Sequence, residues 1–361
     1  DVIARVGGDE FVVVTLGKSG SQLLAMGDRI ISTLARPFEF EGRQCWYGAS
    51  AGIAISDGTD LEAQQLLAKA DLALYRAKRR GRARVEIFSD EMQREMRESQ
   101  ELADGIQSGL DRQEFVPWYQ PQISAADFSI CGVEALARWL PPDGSVRTPA
   151  EFLPATEELN KVQAIDRMIL EAALRDLARW DEAGVEVPRL SVNVSARRLV
   201  EPDLAASLAA LRPPRGRLAF ELLESVFLDD VERTMAWNID LLKEMGVEIE
   251  LDDFGSGHAS IISLVRLGPD AIKIDRRMAA GIIEDPSRRS LAAAIVGIGK
   301  SLGVKVVAEG VESLEQALIL AELGCDRLQG FYFARPMPAS DVPGFIAKWR
   351  DPRVGAIAVA G

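Results

Sequence analysis

The sequence predicts an α/β fold: a closed β/α barrel that follows a smaller α+β unit. Three observations predict it. Short apolar runs that end on a carboxylate, an amide or a lysine recur between residues 130 and 331. Helix-like segments of roughly ten to twenty residues separate most of them, the alternation expected of βα repeats. The region before them instead mixes short strands and helices around a Gly-Gly turn. In a closed β/α barrel the C-terminal ends of the strands face one mouth. The residues that end those runs therefore meet at one site, although they are far apart in the chain.

Residues 2–6 and 10–16 are apolar runs around Gly7-Gly8 and read as a β-hairpin. A helix follows over 20–36, with Leu23, Leu24, Ile30, Ile31 and Leu34 as its apolar stripe. A strand over 45–55, a helix over 61–79 ending at Gly81 and a strand over 84–88 complete a unit spanning residues 1–90. The polar segment 91–113 has a helical pattern and reads as a connecting helix. Barrel repeats occupy 114–350, where Met168, Ile169, Ala172, Ala173 and Leu177 form one helical core stripe. Residues 351–361 are a tail of small residues.

At 361 residues the chain has room for two domains. A net charge of −13 argues against a nucleic-acid polymer as partner, because such binding needs a basic surface. A small anionic substrate remains compatible with that charge, since metal ions and a few local cations can receive it. Cys45, Cys131 and Cys325 are scattered and read as free thiols in a reducing cytoplasm. No stretch approaches the ~20 apolar residues of a membrane span. The chain starts close against a strand without an initiator Met, so a preceding segment is expected, and the sequence leaves open whether a sensor or membrane anchor lies upstream.

The recurrent strand ends carry Glu134, Asn193, Glu221, Asp252-Asp253, Lys273, Glu309 and Gln329. Adjacent buried carboxylates repel and are costly to desolvate unless cations neutralise them. The glycines of Asp252-Asp253-Phe254-Gly255-Ser256-Gly257 let the following loop come close to a ligand. A solvated turn with Asp253 as N-cap would explain that motif alone, but not the acids at the other strand ends. Oxygen donors, with His258 as the only histidine, favour Mg²⁺ or Mn²⁺ over zinc. Several carboxylates with one bridging indicate two ions, an arrangement suited to in-line attack on a phosphodiester.

Glu134-Ala135-Leu136-Ala137-Arg138 resembles the signature of the EAL cyclic di-GMP phosphodiesterases. The resemblance covers roughly residues 101–350. It takes in Tyr119-Gln120-Pro121, Ser191-Val192-Asn193-Val194-Ser195, Glu221-Leu222-Leu223-Glu224-Ser225 and Asp252-Asp253-Phe254-Gly255. It continues through Ile272-Lys273-Ile274-Asp275, Ala308-Glu309-Gly310-Val311-Glu312 and Gln329-Gly330-Phe331. The resemblance implies a TIM-like (β/α)8 barrel that hydrolyses cyclic di-GMP to linear pGpG in bacterial signalling. It implies that Glu134, Asn193, Glu221 and Asp252 hold one ion, and that Asp252, Asp253 and Glu309 hold the second. Lys273 would orient or activate the attacking water, making Lys273, Glu309 and Glu134 the catalytic set. Gln120, Leu136, Arg138 and Gln329 would bind substrate, and Glu224 would brace the loop after Asp253. A barrel-mouth ion pair is the structural alternative for Arg138. A homodimer through this domain is also implied. His258, Leu223 and Asn160-Lys161 depart from the family's usual residues without removing a ligand position, and His258 reads as a loop residue.

Gly7-Gly8-Asp9-Glu10-Phe11 resembles the GGDEF signature of diguanylate cyclases, supported by Ser50-Ala51-Gly52-Ile53-Ala54 and the segment Ala70–Lys78. A glycine hairpin lets backbone N–H groups approach a nucleotide. The resemblance implies a site of Gly7, Gly8, Asp9, Glu10, Lys78 and Arg82, with Asp9 on a metal and GTP as the ligand of an intact domain. The segment matches only the family's C-terminal half, so no cyclase activity is expected of it. The other functional reading is of a different class: a non-catalytic cyclic di-GMP receptor.

Overall fold

The computed structural model describes residues 1–56, 62–214, 216–224, 233–255 and 261–353. His258, Ser256, Gly257 and Ser225 lie outside the described residues, as does the tail from 354. The chain divides into two compact units, Asp1–Leu102 and Ala103–Gly361.

In the first unit, β1 (Val2–Gly7) and β2 (Glu10–Val14) form an antiparallel hairpin with Gly8 at positive φ. The Arg5 guanidinium donates to the Gly8 carbonyl at 2.7 Å and braces the turn. Helix α1 (Gly20–Leu34) starts at a capping box, in which Gln22 Oε1 accepts from the Ser19 N–H at 2.8 Å. Leu23 and Ile31 of its predicted stripe are buried, whereas Leu24 and Ile30 are exposed. The single strand expected over 45–55 is two strands. β4 (Arg43–Cys45) turns back antiparallel on β3 (Phe38–Phe40), and β5 (Ala51–Ile53) runs parallel to β6 (Val85–Ile87). The chain therefore changes partners between them. Helix α2 (Ala63–Arg79) packs closely on β5: a Cβ at Gly52 would lie 2.1 Å from the Ala70 carbonyl oxygen. Helix α3 (Asp90–Asp111) follows, where a connecting helix was expected.

The second unit contains eight strands that close on themselves. These are β7 (Phe115–Ser124), β8 (Ile130–Trp139), β9 (Leu190–Asn193), β10 (Leu218–Leu223), β11 (Glu248–Phe254), β12 (Ala271–Ile274), β13 (Lys305–Ala308) and β14 (Arg327–Leu328). β14 pairs back onto β7, and β15 (Met337–Pro338) adds to β7. The helices are α4 (Pro149–Glu158), α5 (Val162–Glu182), α6 (Ala196–Leu199), α7 (Leu204–Ala210), α8 (Arg233–Glu244), α9 (Ile261–Leu267), α10 (Arg276–Ala279), α11 (Pro286–Leu302), α12 (Leu314–Leu323) and α13 (Val342–Lys348). Ile169, Ala173 and Leu177 of the expected α5 stripe are buried. Among the described residues no helix is long and apolar enough to cross a membrane.

Strict βα alternation does not hold at the start of the barrel. β7 is antiparallel to both β8 and β14, while β8 through β14 are parallel. Only Ala125–Ser129 link β7 to β8, far too few residues for the crossover that parallel strands require. Glu134 consequently lies inside the long strand β8, opposite Gln120, and not at a strand end.

Side chains two residues apart share one face of a strand. Glu248, Glu250 and Asp252 thus share a face of β11, alternating with the buried Ile249 and Leu251. Contacts across the barrel place this face inside. Glu250 pairs with Arg327 Nη2 at 2.5 Å and Arg189 Nη2 at 2.8 Å, and Ser191 Oγ donates to it at 3.3 Å. A second pair joins Arg189 to Glu248. The barrel interior is therefore layered, with a charged floor beneath the mouth.

The segment after β14 is held by backbone contact. The Val311 N–H donates to the Gln329 carbonyl at 3.0 Å, and a Cβ at Gly330 would stand 2.0 Å from the Val311 carbonyl oxygen. Gly330→Ala is therefore expected to cost at least about 2 kcal/mol of unfolding free energy, because no side chain can move aside. Gly344→Ala, which meets nothing within 4 Å, should be neutral or gain up to about 1 kcal/mol as a helical Gly→Ala change. Urea unfolding of both variants checks the contrast.

Candidate active site

The mouth is organised on Lys273, the third residue of β12, which is fully buried. Its ammonium lies 2.5 Å from Glu309 Oε1, 2.7 Å from Glu221 Oε2, 3.3 Å from Glu134 Oε2 and 3.9 Å from Asp252 Oδ1. Burial works to discharge this lysine, but the carboxylates outweigh it and hold its pKa well above the ordinary range. It stays an ammonium.

One positive charge does not balance four acids. Burial, reinforced by Glu134, raises the Glu221 carboxyl well above its ordinary value. Glu309 is pushed up to about 8, chiefly by burial and then by Asp252 and Glu134 against the pull of Lys273. Burial also raises Asp252, and burial plus the Asp252 charge push Asp253 up to about 6. Glu134 alone is lowered. Burial opposes its ionisation, but Lys273 and hydrogen bonds from its neighbours prevail. Asn193 Nδ2 donates to Glu134 Oε1 at 2.9 Å, and Gln329 Nε2 to Glu134 Oε2 at 2.5 Å. The mouth thus carries more acid than its one lysine can neutralise, a setting that attracts further cations.

The structure gathers Glu134, Asn193, Glu221, Asp252, Lys273, Glu309 and Gln329 as the strand-end pattern predicts. Asp253 sits beside Asp252 with φ 55°, its N–H donating to Asp252 Oδ1 at 2.8 Å. Gln120 joins from β7: its Oε1 accepts from Gln329 Nε2 at 3.1 Å, and its Nε2 donates to the Ala334 carbonyl at 3.0 Å. Leu136 is half-buried on β8. Arg138 is buried and donates to the Ala137 carbonyl at 2.7 Å, with its guanidinium 5.6 Å from the Trp118 ring centroid. Among the described residues no ion pair joins it to a carboxylate, although the Glu134 charge acts on it. Glu224 is buried, but residues 256–260 of the loop it was expected to brace lie outside the described residues. Leu223 is exposed, and Asn160 accepts from Arg197.

In the first unit Gly7, Gly8, Asp9, Glu10, Lys78 and Arg82 are all exposed. Lys78 and Arg82 lie together around the end of α2. No hydrogen bond or ion pair joins either to Asp9 among the described residues.

The family profile of the EAL domain matches residues 103–336, the unit that carries this cluster. The chain belongs to the EAL domain family. Residues 1–84 match the diguanylate cyclase GGDEF domain. A Caulobacter vibrioides protein described as an uncharacterized signaling protein is 36% identical over 341 residues, 93% of this chain and 42% of that protein. The bifunctional diguanylate cyclase/cyclic di-GMP phosphodiesterase MucR of Pseudomonas aeruginosa is 33% identical over 353 residues, 96% of this chain and 51% of that protein. The chain thus spans about half the length of the curated relatives it matches. Among solved structures, the PaMucR phosphodiesterase in complex with c-di-GMP is 34% identical with a TM-score of 0.63, over 67% of this chain and 99% of that one. The EAL domain of Mycobacterium smegmatis DcpA is 31% identical with a TM-score of 0.57, over 66% and 100%.

Beneath the mouth of this EAL domain lie residues that sequence reading passed over: Gln122, Arg189, Glu250 and Arg327. Gln122 follows Gln120 by two residues, Glu250 and Arg327 precede Asp252 and Gln329 by two, and Arg189 precedes Asn193 by four, but this spacing alone does not show that they meet inside the barrel. Asp166 was also missed. From α5 it accepts from the Ser195 N–H at 2.9 Å, just past Asn193. Burial pushes its carboxyl up to about 6, against an ordinary value near 3.9. A raised carboxyl pKa means the fold holds a proton that the unfolded chain releases. The associated stability is complete below about pH 4 and is lost as pH rises through about 6. Asp166→Asn should remove this loss. Relative to wild type it should gain about 1–3 kcal/mol between pH 4.5 and 7.5. Urea denaturation across that range measures the difference.

Proposed function

We propose that this chain hydrolyses one phosphodiester of c-di-GMP, giving linear pGpG. The observation that carries the reading is the convergence of Glu134, Glu221, Asp252 and Glu309 on the buried Lys273, with Asn193 and Gln329 held against Glu134, in an EAL domain. Relatives and a solved structure 33–34% identical to this chain are described as phosphodiesterases of, or bound to, the same dinucleotide. Water adds across a P–O bond: its hydroxyl goes to phosphorus and its proton to the departing ribose oxygen.

EAL phosphodiesterases generally need divalent metal. The residues present suit it, since the donors are oxygens, their acidity exceeds the available positive charge, and among the described residues Glu221 Oε1 is buried without a hydrogen-bond partner. Glu134, Asn193, Glu221 and Asp252 would hold one ion, and Asp252, Asp253 and Glu309 a second, each Mg²⁺ or Mn²⁺. Such ions, when bound, acidify water and neutralise charge developing on phosphoryl oxygens. Lys273, whose pKa the surrounding carboxylates hold above the ordinary range in this arrangement, would orient or activate the attacking water. The Arg138 guanidinium, whose pKa burial lowers against the pull of the Glu134 charge, would gain a counter-charge from a substrate phosphate. Gln120 and Gln329 present oriented amides at the mouth, and Leu136 lies on the strand between Glu134 and Arg138.

One observation favours a second reading, a c-di-GMP receptor without turnover. Among the described residues the acids do not form a ready-made metal cage, because they are drawn onto the ammonium. Product analysis after incubating the dinucleotide with Mg²⁺, Mn²⁺ or EDTA separates the two. Metal-dependent pGpG supports hydrolysis; tight binding without product supports the receptor.

Glu134→Ala is expected to reduce turnover by about 10²-fold or more while leaving the barrel folded, since loss of one preorganised charge contact typically costs that much. Retention of a tenth of wild-type rate at saturating Mg²⁺ would remove Glu134 from the catalytic set.

Asp252→Asn tests the acidic excess directly. With EDTA its melting temperature should equal or exceed that of wild type, because a repelling charge is gone. In a Mg²⁺ titration wild type should gain stability by mass action, and the variant should gain less. A wild-type melt indifferent to Mg²⁺, with a less stable variant, would make the Asp252-Asp253 pair structural.

A further inference from the structure

A chain of buried side chains leads from the charged floor to Gln329. Glu250 accepts from Arg327 Nη2 at 2.5 Å, and Arg327 Nη1 donates to Gln122 Oε1 at 3.2 Å. Gln122 Nε2 donates to Gln329 Oε1 at 3.2 Å, and Gln329 Nε2 donates to Gln120 Oε1 and Glu134 Oε2. All of these residues are at least nine-tenths buried.

The direction of this chain follows from chemistry. An arginine only donates, so Gln122 must turn its oxygen toward Arg327 and its NH₂ toward Gln329. Gln329 must then offer its oxygen downward and its NH₂ upward, to Glu134 and Gln120. Gln120 agrees, because its own NH₂ is committed to the Ala334 carbonyl. An ionised Glu134 holds Gln329 the same way in this structure. Once the Glu134 oxygens serve another partner, the hold from below remains.

We propose that Gln122, polarised by Arg327, is a positioning residue that keeps the Gln329 amide pointing its NH₂ into the active site. This inference rests on the phosphodiesterase reading for its link to turnover, but not for its structural content.

Two substitutions of Gln122 separate polarity from packing. Gln122→Glu keeps the size and the hydrogen bond from Arg327, which also keeps the new carboxylate ionised. It places an oxygen against Gln329 Oε1, and turning the Gln329 amide would only set its oxygen against Gln120 Oε1 and Glu134. Gln122→Met removes the polar link and introduces no repulsion. In the full chain, Gln122→Glu should lose about tenfold or more in kcat, as for loss of an oriented donor. KM should move less than about threefold, whatever the change in melting temperature. Gln122→Met should lose less turnover despite lower stability. Equal kcat in Gln122→Glu and wild type, or losses in both variants that track melting temperature, would overturn the proposal.

A second readout does not depend on turnover. The Gln329 side-chain NH₂ signal, assigned by its disappearance in Gln329→Glu, should shift or broaden in Gln122→Glu without added metal. An unchanged signal overturns the inference. If wild type fails to hydrolyse c-di-GMP, the phosphodiesterase reading fails and this signal alone decides the positioning role.

Discussion

The structure of the barrel mouth depends on one ion cluster, the Lys273 ammonium among Glu134, Glu221, Asp252 and Glu309. A buried lysine without partners would lose its proton, and buried carboxylates without a cation would gain theirs. Together they hold a mixed state in which the lysine is charged, Glu134 is ionised and the remaining acids are raised. The barrel makes this arrangement stable by bringing the strands of these residues into register. Glu221 pairs with Asn193 across β9 and β10, and Lys273 pairs with Val307 across β12 and β13. Strand pairing, with its many backbone hydrogen bonds, keeps together charges that would otherwise separate.

The second layer explains why the first is not a lone charged island. Bulky branched side chains usually fill such barrels, but here Arg189, Glu248, Glu250 and Arg327 occupy the floor. Two guanidiniums face two carboxylates, so this layer is balanced. Burial works against ionisation of Glu250, and Arg327 and Arg189 overcome it, holding its carboxyl below the ordinary range. Replacing one member of such a group leaves its partner charged and buried, which is strongly destabilising, whereas the intact group adds little net stability. Its value lies in specificity. A guanidinium can only donate, and that one-way character reaches the mouth through Gln122.

Much of this was legible in the sequence, for a stated reason. A strand of β/α repeat must stop at the mouth, and polar residues that follow apolar runs mark the stop. Asn193, Glu309 and Gln329 were found this way, and the structure places them at or just beyond strand ends. The rule fails where a strand runs on past its polar residue. β8 continues through Ala135 to Trp139, and Glu134 reaches the site because its strand pairs with β7 and β9 in register. The antiparallel start was also readable, since a link as short as Ala125–Ser129 excludes a crossover. Both Pro117 and Pro121 lie inside β7, although proline argues against a central strand. The floor was missed for a different reason. Glu248, Glu250 and Asp252 announce a common face by their spacing, but spacing cannot say that the face turns inward against arginines from β14 and from the residue before β9. Only closure of the barrel does that.

The same cluster bears on what separates a hydrolase from a receptor. The residue types for holding metal are all present, so composition cannot decide between the two. The difference lies in whether the carboxylates can leave the ammonium. Among the described residues one buried oxygen of Glu221, Oε1, lacks a hydrogen-bond partner, and a buried acceptor left unsatisfied costs about 1–3 kcal/mol. Glu309 and Asp252 are less enclosed than Glu221, with side chains 22% and 15% exposed, so they reorient toward the mouth at lower cost. Glu134 is the member least free to turn, because Asn193 and Gln329 each hold one of its oxygens. A cation bound at this mouth would have to replace fixed partners around Glu134, whereas Glu309 and Asp252 would offer the more adaptable oxygens. Lys273, whose pKa these acids hold above the ordinary range, keeps the acids of several strands gathered at the mouth.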